Sequence, residues 1–395
     1  MVKAPFQFFA NPRLIYGAGE FAKLPDLVAT LGKRVLIVTG SSSLERTGKW
    51  DFLAQGLKQK FINLFHFRIS KEPSPELIDR AVTEFKQEKP GLVVAIGGGS
   101  VLDGGKAISA MLPQIGRTEE YLEGIGPKTH NGVKIPFIAV PTTAGTGSEA
   151  TKNAVLSRVA SPATGKKGYK RSLRHDRFVP DVALIDPELT LSCPPPVTAA
   201  CGMDAFTQLL EAYLSPQSSV LTDTLALRGM DALKYALIPA VREGSKNLEA
   251  RCAMSIAAYL SGLALANAGL GVIHGFASSL GADFEIPHGV ICGTLAASCI
   301  EKNIARLKEK GMSQALEKYG RVGMLLNGAS HSLEENLEGL MGKLALWTET
   351  LGLPRLRSYG VGENDLERIA SETADRNNPV ALSKEDKIEI LRRRL

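Results

Sequence analysis

The sequence is poor in the features that would make it something other than an ordinary globular protein. Its five cysteines (193, 201, 252, 292 and 299) are odd in number and form no CxxC pair. A disulfide framework is therefore excluded as the organising principle, and free thiols in a reducing compartment are implied. No apolar run approaches the roughly 20 residues of a membrane span, and the N-terminus has no apolar leader core. Aromatic residues make up only 6%, and no basic run is interleaved with them, so a nucleic-acid partner is not expected. The net charge of +6, from 47 basic and 41 acidic residues, is mild for 395 residues. A cytoplasmic protein with neither a membrane nor a nucleic-acid partner is the expectation.

At this length two domains are expected. The first half alternates. Short β-branched runs at 34–40 (RVLIVTG), 91–99 (GLVVAIGGG), 135–143 (IPFIAVPTT) and 181–186 (DVALID) read as strands buried on both faces. Between them lie helical patterns such as residues 74–89, with Leu77, Ile78, Ala81, Val82 and Phe85 on one face. After the proline-rich stretch 186–196 no further strand pattern occurs, and long helical periodicity takes over. The predicted architecture is an α/β dinucleotide-binding domain over residues 1–190, with a Rossmann-like parallel sheet, and an all-helical domain over 191–395.

Three polar turns follow predicted strands of the first half. Gly97, Gly98, Gly99 and Ser100 stand between a strand and a helix, where backbone N–H groups and a helix N-terminus attract phosphate. The turn is neither GxGxxG nor a Walker loop. The second turn, 141–151, is dense in hydroxyls and glycines, and two such loops on one sheet favour a dinucleotide over a lone phosphate. The third places Gly40, Ser41, Ser42 and Ser43 where an acid would accept from a ribose 2′-hydroxyl, with Arg46 nearby. That combination favours NADP(H) over NAD(H). A basic stretch at 165–175 reads either as a solvated loop or as a rim for an anionic ligand.

In the second half, Asp204 and Gln208 lie four apart on one helical face, and His274 and His288 are each followed by glycine. One aspartate and two histidines form a possible divalent-metal set.

Taken together, "GGGSVLDGGKAIS", "PTTAGTGSEAT", "DPELTLSCPPPVTAACGMDAFTQLLEAY" and "GLGVIHGFASSLGADFEIPHG" resemble the iron-containing (group III) alcohol dehydrogenases, of dehydroquinate synthase-like fold. The resemblance runs from about Phe6 to the C-terminus. It implies an active-site cleft between the two domains, a homodimer or larger assembly, and an alcohol or aldehyde substrate. It implies pyrophosphate binding at Gly97, Gly98, Gly99, Ser100 and Asp103, and a nicotinamide lining of Thr142, Thr143, Thr151 and Asn153. Ser74 falls near the adenosine, and Lys170 toward the cofactor, which leaves Arg171 and Arg174 as rim residues. Asp204, His274 and His288 match three ligands of an Fe2+ or Zn2+ site.

Two positions depart from the family pattern. Gln208 replaces a ligand histidine with a weaker carboxamide donor. Ser278, four after His274, replaces a histidine near the substrate and cannot exchange a proton near neutral pH. The reading that follows is a metal-dependent alcohol dehydrogenase or aldehyde reductase. The alternatives are a reductase of an anionic (carboxylated or phosphonylated) aldehyde, and a non-catalytic relative that has lost its metal.

Overall fold

The computed structural model describes residues 5–9, 11–158, 168–328 and 331–395. Six parallel strands form the N-terminal sheet: β1 (Arg13–Tyr16), β2 (Arg34–Thr39), β3 (Asn63–Arg68), β4 (Leu92–Gly97), β5 (Phe137–Pro141) and β8 (Val182–Ile185). Their order is β1-β8-β5-β4-β2-β3. Side chains alternate between two apolar layers. Leu36, Val38, Val93, Ala95 and Phe137 pack against α4 (Pro75–Phe85) and α5 (Gly99–Met111). Val35, Ile37, Leu92, Val94 and Ile138 pack against α1 (Leu24–Leu31) and α3 (Lys49–Gln59); α2 (Ser43–Arg46) is a single turn. Burial on both faces explains why the central strands read as unbroken apolar runs.

The chain leaves β2 for the edge strand β3 and then crosses back to β4, so the strand order reverses between β2 and β4. The crevice beyond their carboxyl ends is where open parallel sheets bind ligands. Gly40–Ser43 and Gly97–Ser100 both lie there.

An antiparallel hairpin, β6 (Asn153–Arg158) with β7 (Tyr169–Arg174), stands apart from the main sheet. It was not expected: most of the basic stretch read as a loop or rim is strand β7. Residues 165–167 of that stretch lie outside the described residues.

The C-terminal half is helical throughout its described residues. Its members are α6 (Pro195–Leu214), α7 (Val220–Glu243), α8 (Leu248–Ala268), α9 (Val272–Asp283), α10 (His288–Glu309), α11 (Ser313–Asn327), α12 (Leu333–Thr350), α13 (Leu366–Glu372) and α14 (Lys384–Arg393). By length and composition α8 is apolar enough to cross a membrane, which the reading of the sequence did not anticipate. It is instead a core helix, with Ala257, Ala258 and Ala264 packed in the apolar core it shares with α6 and α7. The α/β sheet followed by helices is the architecture the sequence predicts.

Candidate active site

A cavity of about 630 Å³ opens between the sheet, the β6–β7 hairpin and the helical half. The lining takes Gly99, Ser100 and Asp103 from α5, Thr151, Asn153 and Lys170 from the hairpin and the segment before it, and Gln208, His274 and His288 from the helical half. Of the residues assigned to the cofactor, Gly40, Ser41, Ser42, Ser43, Ser74, Gly97, Gly98, Thr142 and Thr143 are not on this cavity's lining. The Ser74 hydroxyl caps α4 by accepting from Leu77 N at 3.2 Å. The Thr142 N–H donates to Gly97 O at 2.9 Å, tying the second turn to the first. A Cβ at Gly99 would stand 2.5 Å from Thr146 Cγ2, so a side chain there would push the second turn away from the first.

Beneath the first turn lies a buried polar network. Lys106 Nζ donates to Ser148 O (2.8 Å), Thr151 Oγ1 (2.9 Å) and Asn153 O (2.8 Å). Asp103 accepts from Ser148 Oγ and from Val155 N. Burial draws the Lys106 ammonium down to about 8 against the pull of Asp103. Asp103 and Lys106 thus tie α5 to the 148–155 segment.

The metal centre assembles from three helices. Asp204 and Glu211 project from one face of α6, and both are buried. His274 sits in the first turn of α9, whose N-terminus Glu211 holds: Oε1 accepts from Ile273 N (2.7 Å) and Oε2 from His274 Nδ1 (2.6 Å). With Nδ1 so engaged, His274 Nε2 faces Asp204 Oδ1 at 3.3 Å. His288 opens α10, with Nε2 at 3.6 Å from the same oxygen. One turn on, Cys292 Sγ lies 3.6 Å from His274 Nε2 and 3.8 Å from His288 Nε2. The glycine after each histidine allows close approach: Cβ atoms at Gly275 and Gly289 would strike Ala374 O (2.2 Å) and Ala200 O (2.4 Å).

These separations test the fit of a metal. Bonds of about 2.0–2.3 Å to O, N and S place tetrahedral ligands roughly 3.3–3.8 Å apart, and the four separations given above fall in that range. The donor set of one carboxylate, two imidazoles and one thiol suits Fe2+ or Zn2+. Burial draws His288 down to about 4, which keeps its ring neutral for ligation. Burial opposes ionisation of Asp204, but His288 and His274 outweigh it and hold the carboxyl below its usual range. Burial pushes the Cys292 thiol up to about 11, so ligation must expel its proton, as divalent ions do.

Gln208 lines the cavity, but its Oε1 accepts from Ser261 Oγ at 2.6 Å. Ser278 donates to His274 O and accepts from Arg376 Nη2 at 2.5 Å. Lys170 pairs with Glu72 at 2.7 Å. Reading the sequence missed Cys292, Glu211 and Arg376. Cys292 and Glu211 carried a signal, at i+4 from His288 and i+7 from Asp204; Arg376, alone in a loop, carried none.

A nucleotide-type parallel sheet facing a buried carboxylate–imidazole–thiol centre defines a two-domain dinucleotide-dependent metalloenzyme. Comparison with known proteins narrows the class. Residues 11–187 match the iron-containing alcohol dehydrogenase model, and residues 198–395 match that for the Fe-containing alcohol dehydrogenase family, C-terminal. The chain therefore belongs to the iron-containing alcohol dehydrogenase family and is an NAD(P)-dependent alcohol dehydrogenase. It is 30% identical to an NADPH-dependent butanol dehydrogenase of Clostridium saccharobutylicum, over 96% of this chain and 95% of that one. It is 28% identical to an NAD-dependent methanol dehydrogenase of Bacillus methanolicus, over 98% and 99%. A solved alcohol dehydrogenase from Oenococcus oeni superposes with a TM-score of 0.86 at 28% identity, over 98% of this chain and 100% of that one.

Proposed function

We propose that the protein interconverts an aldehyde and its alcohol, with NADP(H) preferred over NAD(H), at a centre held by Asp204, His274, His288 and Cys292. The observation that carries the reading is the opening of His274 and His288 onto the same cavity as Gly99, Ser100, Thr151 and Asn153. A bound Fe2+ or Zn2+ supplies a Lewis acid for the substrate oxygen, and the nicotinamide supplies the hydride.

The chain's own residues do the rest. Glu211 fixes the His274 tautomer and leaves Nε2 as the ligating atom. Cys292 adds a thiol to the set from one turn beyond His288, and the Gln208 oxygen, which accepts one hydrogen bond from Ser261, keeps a second lone pair for the ion. The N-terminus of α5, with Gly97–Ser100, receives the pyrophosphate, and Gly40–Ser43 and Ser74 flank the adenosine. The absence of an acid at position 40 supports the NADP(H) preference, although relatives of both dependences are known. Ser278 is committed to Arg376 and His274 O, so protons exchange with water in the cleft. Five unpaired thiols support a reducing, cytoplasmic setting.

Oxidation of NADPH by a panel of aldehydes, with metal content measured in parallel, tests the reading. Asp204→Ala and His274→Ala should each lose about 10³-fold or more in turnover. Turnover like that of the wild type in either protein, with its metal content checked, would sink the assignment.

A further inference from the structure

Three arginines line the same cleft as the metal ligands. Arg171 and Arg174 come from β7, and Arg376 from the segment between α13 and α14. Desolvation lowers the Arg376 pKa, Glu211 opposes this, and Arg174 and Arg171 lower it further, so the three charges feel one another. Arg174 has a carboxylate partner in Glu123 at 3.3 Å. Arg171 and Arg376 form no ion pair among the described residues. The neighbouring acids are engaged elsewhere: Glu72 with Lys170, Glu211 with His274. Repelling cations gathered at a concave wall, with too few carboxylates to neutralise them, attract an anion from solution.

The position of Arg376 says which part of a ligand that anion is. Its Nη2 is held at 2.5 Å by Ser278 Oγ, and Ser278 is one turn beyond His274 on α9. Four residues of helix advance about 6 Å, so the serine that holds the guanidinium is one turn along the wall from the ligand histidine. The N-terminus of α5, where a dinucleotide phosphate belongs, is a separate element of the lining. Arg376 also has φ 53, a left-handed backbone uncommon for arginine.

Resting on the reductase reading above, we propose that the substrate is a short aldehyde whose terminal oxyanion (carboxylate, sulfonate or phosphonate) is separated from the carbonyl by about one or two methylene groups. Arg376, aimed by Ser278, grips the oxyanion, and Arg171 and Arg174 supply the surrounding positive field. The serine at 278 is then the support for the arginine that selects the substrate. Arginine suits this task because its planar fork matches an oxyanion bidentately.

The test compares kcat/KM of the metal-loaded enzyme with NADPH on succinic semialdehyde, phosphonoacetaldehyde and sulfoacetaldehyde, each against neutral butanal. At least one anionic aldehyde should be preferred by about tenfold or more, and Arg376→Ala should cut that preference by a similar factor through KM. Arg376→Lys should retain part of it, and Arg171→Ala should lose less. Equal use of neutral and anionic aldehydes overturns the proposal, as does a rise in the KM for NADPH instead of that for the aldehyde. A second measurement separates this proposal from the reductase reading: calorimetric titration of phosphonoacetate and succinate into the holoenzyme with NADP+ bound. If no aldehyde is reduced, binding of either anion that Arg376→Ala abolishes still upholds the anion site. Absence of such binding overturns it.

Discussion

Glu211 touches no substrate, yet it decides how His274 meets a metal. One of its oxygens holds the start of α9 and the other holds the imidazole. Glu211→Gln keeps one acceptor and removes the charge. Loss of such a support typically weakens metal binding by about 10–100-fold, and competition with a chelator should show that loss while circular dichroism stays unchanged. Glu149 makes a different point at the same scale. Burial lifts its carboxyl to about 7, with Lys106 opposing the rise. Across the window from the ordinary 4.5 up to about 7, the folded protein holds a proton that the unfolded chain releases. Stability therefore falls as pH rises through that window and stays lowered above it. Glu149→Gln should remove the fall, leaving the variant more stable at pH 8 by about 3 kcal/mol, from roughly 1.36 kcal/mol per pH unit. At pH 4 the two proteins should unfold alike. Urea titrations at the two pH values measure the difference; equal gains at both would place the effect in packing instead of ionisation.

Among the elements, what could be read from the sequence follows from burial. β2, β4, β5 and β8 are sealed between helical layers, so their apolar runs announced them. The edge strand β3 carries His66 and Arg68 and is only partly buried, which broke the pattern. β7 was hidden by its polarity. Its Lys170, Arg171 and Arg174 line the cavity, so the strand is polar where an ordinary strand would be apolar. The metal helices were legible through Asp204, His274 and His288, whereas Cys292 passes for one more buried apolar residue because free cysteine behaves as one. The start of α5 yields a prediction of its own. Gly99→Ala would press a methyl group to within 2.5 Å of Thr146 Cγ2, at the turn assigned to the pyrophosphate. The KM for the dinucleotide should rise by about tenfold, in keeping with a close backbone approach to phosphate, with the melting temperature little changed. An unaltered cofactor KM would remove this turn from the nucleotide site.

At the scale of the whole molecule, function depends on how the sheet half meets the helical half, because each supplies only part of the cavity. One point of that meeting is backbone against backbone. Gly147, at φ 62 in the turn after β5, lies against Gly262 in the middle of α8; a Cβ on Gly262 would stand 2.3 Å from Gly147 O. Beside it, Ala150, Ala183 and Ile185 from the first half pack with Tyr259 and Leu263 of α8 in a small apolar cluster. A methyl group at 262 cannot be absorbed by a flexible side chain, since backbone faces it. Gly262→Ala should therefore cost about 1–3 kcal/mol as overpacking, despite alanine's better helix propensity. Because Gly147 and Ser148 belong to the loop that reaches Asp103 and Lys106, the displacement should carry into the nucleotide wall. Gly342→Ala, on the open face of α12 with nothing within 4 Å, is the matched control and should stabilise by up to about 1 kcal/mol through propensity alone. Thermal melts, together with NADPH and metal titrations, distinguish the outcomes. If the seam sets the cavity, Gly262→Ala lowers stability and weakens NADPH binding. If it lowers stability but leaves NADPH affinity intact, the seam only holds the halves together, and the cavity's shape is set by the β6–β7 hairpin against α9.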